Sequence, residues 1–195
     1  TFGIEWHLRP TEEDVRREYE AFRGSLGDTP IPDLAGLPPM ENEEALAITS
    51  IIAAVAVAVL CTDRGLLAVI ACRSVALCIR FGNSDSAGTN YLWLGMILAD
   101  VFGRYQDAYD LGRLGRQLVD RRGLEGHMAR AYLLSAFTNQ WREPLAAGAA
   151  LARRAFDGAV RVGDITYACY VRWDVISLLL AMGTPLEEVR RECVA

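Results

Sequence analysis

Side chains able to do chemistry are sparse in this chain, and none falls in a catalytic spacing. The two histidines, His7 and His127, have no cysteine at ligand spacing. The five cysteines (Cys61, Cys72, Cys78, Cys169 and Cys193) include no CxxC pair. Structural zinc sites are built from such pairs, so no metal is expected. An odd number of thiols, most of them in apolar helical runs, reads as reduced, buried cysteines of a cytoplasmic protein. The acid pairs Glu12-Glu13, Glu43-Glu44 and Glu187-Glu188 each sit in the first turn of a helix. Compensation of the helix dipole explains them without general acid–base work. The segment GNSDSAG carries glycines ahead of a helix, as a phosphate cradle does. It lacks GxxxxGK[ST] and follows a helix, not a strand. No Ser/His/Asp or Cys/His set stands out. The chain thus carries no catalytic signature, and no cofactor is expected.

The elements around these residues read as helices throughout. At 195 residues, 52% hydrophobic and 23% charged, the chain is long enough for a sizeable core. Its formal charge of -5 disfavours nucleic acid, which needs a concentrated basic surface. TEED opens a first helix with Thr11 as N-cap and Asp14 at N3, and Val15, Tyr19 and Phe22 give it an apolar stripe ending at Gly24. Residues 28–39 hold four prolines, so no regular element is expected there. The first 40 residues are read as a helix and connector packed on the body. The body, 41–195, divides into hairpins at about 41–82, 88–122, 125–162 and 164–195. The apolar run Ala45 to Leu60 is shorter than the ~20 residues of a membrane helix. Asp63, Arg64, Arg73 and Arg80 follow it, so helices buried on most sides are expected in place of a membrane hairpin. The chain opens TFGIEWHLRP, without Met and without an apolar signal run, and is expected to be a piece of something longer.

Turns near Gly103, Glu143 and Gly183 recur at intervals of 40 residues. A fixed period of this size predicts an all-α solenoid of stacked antiparallel hairpins. The tetratricopeptide (TPR) template is nearest. Gly103 and Ala108 meet its turn rule, and Leu92, Gly95 and Ala99 lie near its packing positions. Glu143 and Glu188 depart from it, and the period exceeds the standard ~34 residues.

TEEDVRREYEAFRG, IPDLAGLPPMENEEALAITSIIAAV, FGNSDSAGTNYLWLGMILADVFGRYQDAYDLGRLGRQLVDRR, FTNQWREPL, GDITYACYVRW and MGTPLEEV together resemble one region of very large bacterial signalling proteins. In that family a Ser/Thr-kinase-like domain and an AAA-type ATPase domain precede the region. GAF sensor and histidine kinase or cyclase domains follow it. The resemblance implies a helical-repeat segment that couples the ATPase module to the output module. The family's helices are longer and less alanine-rich where this chain has residues 45–80.

In such an array the first helix of each hairpin lines the concave face. That places Asn90, Trp93, Ile97 and Asp100 there from the first unit, and Arg130, Leu133, Phe137 and Gln140 from the second. Tyr170, Trp173 and Ser177 come from the third. This aromatic and hydrogen-bonding set suits a peptide or a small ligand. The competing reading makes Trp93, Phe137 and Trp173 plain inter-repeat packing. The leading expectation is a non-catalytic interaction and coupling module whose partners are adjacent ATPase or kinase domains. The alternative is a small-molecule sensor, or a repurposed enzyme, using the same aromatic face.

Overall fold

The computed structural model describes residues 9–194. Among them the fold is all helical: α1 (Glu12–Leu26), a 3-10 helix (Ile31–Gly36), α2 (Glu43–Thr62), α3 (Arg64–Phe81), α4 (Ala87–Asp100), α5 (Tyr105–Arg122), α6 (Glu125–Asn139), α7 (Leu145–Val162), α8 (Ile165–Ala181) and α9 (Leu186–Val194). No strand forms among these residues, and one isolated bridge joins Pro39 to Asn83. His7 and the opening TFGIEWHL lie outside the described residues.

Thr11 and Asp14 form a reciprocal capping box. Hydrogen bonds from Thr11, then from Arg17, hold the Asp14 carboxyl down at about 2. The helix runs past Gly24 because Leu26 is buried in the core. Burying a leucine offsets the ~1 kcal/mol that a helical glycine costs. The proline-rich connector also corrects an expectation, since Ile31–Gly36 forms a 3-10 helix with its proline in the first turn. There the missing N–H would have had no helical partner in any case. Ile31 and Leu34 anchor it in the same core as Val15 and Phe22.

Consecutive helices pack on one another from α2 to α9, α1 packs on α3, and α6 also lies along α4. Helix α4 approaches α5 with backbone close to backbone. A Cβ at Gly115 would collide with the Gly88 carbonyl oxygen and with Leu92. The turn between them is made by Gly103, at φ +62°. One core joins α1 to α5 with part of α6, and a second is built from α6 to α9.

The pair α2–α3 divides in a way its composition did not foretell. Helix α3 is mostly buried. Helix α2 lies at the edge of the molecule and leaves Ile51 59% and Val55 41% exposed. It is not covered on most sides, because its neighbours are α3 and α4. Among the described residues it is the one helix long and apolar enough to cross a membrane, by length and composition alone.

Candidate functional site

A groove of about 520 Å³ lies between α2, α4, α6 and α8. Each helix contributes by its own register. Residues 57, 60, 61 and 64 come from α2 and the start of α3, residues 93, 96, 97 and 100 from α4, and 133, 137 and 140 from α6 and its end. Tyr167, Tyr170 and Trp173 come from α8. Spacings of three and four put each set on one helical face. The lining is almost wholly apolar, and its one charge pair satisfies itself: Arg64 donates to Asp100 at 2.5 Å on the exposed rim.

The floor and the lips differ. Trp93 is buried, and its Nε1 has no hydrogen-bond partner. Phe137 is half-buried, while Trp141, Tyr170 and Trp173 stand exposed at the lips. Trp141 packs on Tyr105 with ring centroids 4.9 Å apart. Tyr167 meets Tyr170 edge-on at 5.8 Å. Burial raises the Tyr167 hydroxyl above the ordinary tyrosine range, and nearby Arg130 partly opposes that shift.

Eight of the eleven residues singled out from the sequence line this groove: Trp93, Ile97, Asp100, Leu133, Phe137, Gln140, Tyr170 and Trp173. The other three stand elsewhere. Asn90 is fully buried on the α2 side of its helix, donating Nδ2–H to the Thr49 carbonyl at 3.1 Å. It lies one turn before Trp93 on nearly the same face, where α2 covers it and the groove does not reach. Arg130 stacks on Tyr167 at 4.9 Å and lines a side cleft formed by α2, α6 and α8. Its Nε is buried without a partner. Ser177 bonds back to the Trp173 carbonyl and does not line the groove.

The sequence reading missed the α2 wall, Val57, Leu60 and Cys61. Its signal is the absence of a polar face on α2, which by itself reads as burial on most sides. His127 lies away from the groove, with Nδ1 3.4 Å from Thr89 Oγ1. Burial, then Arg130, lowers its pKa and favours the neutral ring. Cys72 and Cys78 are buried, and burial pushes both thiols up to about 12, so they are inert. Cys61, Cys169 and Cys193 are exposed, against the expectation of buried thiols. Among the described residues no three His, Cys, Asp or Glu side chains gather as metal ligands.

The groove has the shape and lining to hold an apolar group, and among its described lining residues no nucleophile–base pair lies within hydrogen-bond reach. No protein-family model, curated protein or solved structure matches the chain.

Proposed function

We propose that this chain is a non-catalytic binding module of a bacterial signalling protein, and that its four-helix groove receives an apolar segment of a partner domain. One observation carries the reading: three exposed aromatics stand at the lips of a concave, nearly uncharged groove. Exposed tryptophan and tyrosine beside a pocket are the side chains that dominate binding energy at protein interfaces. The resemblance supplies the partner class, an adjacent ATPase or kinase module, and the cytoplasmic setting. The finer architecture belongs to the same proposal. The neighbour-on-neighbour packing of α4 to α9, with α6 also along α4, supports a TPR-like solenoid of about 40 residues per unit. The α2–α3 pair is then its N-terminal unit. Coupling would work by the stacked hairpins moving together when the partner's nucleotide state changes.

The test is a titration of the domain with the ATPase module of a protein of the resembled class, in both nucleotide states. Cys61→Trp, at an exposed position on the α2 wall, fills the groove without entering the core. Binding to the parent and its loss in Cys61→Trp is the expected result. No binding in either nucleotide state contradicts the reading.

A second reading is favoured by two observations, the groove volume and Trp93. About 520 Å³ falls within the roughly 300–1,000 Å³ of small-molecule sites. The buried Trp93 Nε1 is left as a donor without a partner. An uncharged, flat ligand carrying one acceptor would fit this description. Quenching of the Trp93 and Trp173 fluorescence by such a ligand, with the partner module absent, would favour this reading over the first.

A further inference from the structure

The groove continues into the side cleft between α2, α6 and the start of α8, a space of about 400 Å³. Val57, Cys61, Tyr167 and Tyr170 line both, so they form a shared edge. The two spaces differ in how they treat their one guanidinium. In the groove, Arg64 is neutralised by Asp100. In the cleft, Arg130 makes no hydrogen bond and no ion pair among the described residues, and its plane rests over the Tyr167 ring. Its Nε is buried without a partner, while its terminal nitrogens are open to the cleft. Asp164 lines the same cleft, but its carboxylate caps α8, accepting from the Tyr167 N–H at 3.1 Å, and does not reach Arg130. The facing wall is apolar, made by Ala54, Val57 and Ala58 of α2.

We infer that the segment entering the groove carries an aspartate or glutamate, whose carboxylate Arg130 takes in the side cleft. This deepens the groove reading and rests on it: the partner is acidic beside its apolar run. Charge complementarity selects the acid. A guanidinium offers donors only, in a planar fork that a carboxylate matches with two parallel hydrogen bonds. Arg130 is also prepared for that contact. Its stem is packed, its Nε is already shut off from water and its plane is held on Tyr167, so little further ordering is needed when an anion arrives. The apolar α2 wall lowers the screening of the pair. A phosphate fits less well, because Arg130 stands alone as a cation in this cleft and Asp164 would repel a second negative charge. A small free acid would fill the cleft and leave the groove empty. A peptide segment fills both, with its apolar side chains on one side of the Tyr167–Tyr170 edge and its carboxylate on the other.

The probe is again the ATPase module of a protein of the resembled class, titrated into the whole domain. Arg130→Gln is expected to weaken its binding about tenfold. Arg64→Gln removes the same charge from the other rim, where Asp100 already answers it, and is expected to stay within about twofold of the parent. Equal losses in the two variants would mean a general electrostatic attraction and would overturn the proposal. A second pair of variants leaves Arg130 in place, and so holds the test if Arg130→Gln does not fold. Ala58 is exposed on the cleft wall and does not line the groove. Ala58→Glu brings an internal carboxylate to Arg130 and is expected to weaken binding about tenfold, whereas Ala58→Gln, of equal size, is not. Equal binding by these two also overturns it. Binding that is lost in Cys61→Trp but untouched by Arg130→Gln overturns the acidic contact alone and leaves the groove as the docking site. No binding to the parent in either nucleotide state overturns both.

Discussion

Helices α4 and α8 are both apolar around most of their circumference, yet they meet opposite fates. Twelve of the 14 residues of α4 are buried, against six of the 17 of α8. Helix α4 sits between α3, α5 and α6, with α2 at its margin, whereas α8 has protein on one side. A helix without a polar face declares that its surface is to be covered. Its place in the packing decides whether the cover comes from the same chain. In α4 the apolar surface makes stability; in α8 and α2 much of it is left exposed.

Leucine truncation breaks this comparison most strongly. Leu94→Ala in α4, at a fully buried site, is expected to cost about 3–4 kcal/mol in urea unfolding. Ile51→Ala on the exposed face of α2 is expected to stay within about 0.5 kcal/mol. Equal losses would show that α2 is as covered as α4. Gly115→Ala comes next. Alanine is the better helix former, but its Cβ would strike the Gly88 carbonyl and Leu92. A loss of about 2 kcal/mol is expected, against the gain of ~1 that propensity alone would give.

Asp174 sharpens the contrast within α8. It is buried, its Oδ2 has no partner, and burial raises its carboxyl from 3.8 to about 6. The folded state holds this proton more tightly than the unfolded state. The site therefore destabilises the fold as pH rises from about 4 through about 6. Asp174→Asn is expected to flatten that slope and to add about 1–2 kcal/mol at pH 7, read by unfolding at pH 4.5 and 7. The smallest effect on stability belongs to the lip. Trp173→Ala is expected to change folding by less than about 0.5 kcal/mol while weakening partner binding about tenfold.

Much of the fold was legible because its punctuation is chemical. The Thr11 box, Asp63 between α2 and α3, Gly103, Gly123 and Gly163 mark helix ends by side chain or by positive φ. The 3-10 helix was not legible, since proline density signals a break but not the short turns it permits. The groove was half legible. Counting back from the turns found the α4, α6 and α8 faces, because helical period carries a position from one turn to the next. It failed at Asn90, which shares the face of Trp93 but lies one turn along the axis, where α2 covers the helix and the groove has ended. The α2 wall could not be read, since a helix with no polar face has no register to count from.

The central claim is that the groove, and not some other surface, receives the partner. Hydrogen exchange of the domain with and without the partner module tests it most directly. The account predicts new protection at residues 57–64, 93–100, 133–141 and 167–173, with little change in α5 and α7. Protection confined to α5 and α7, or stable binding with no change along the groove, would contradict it.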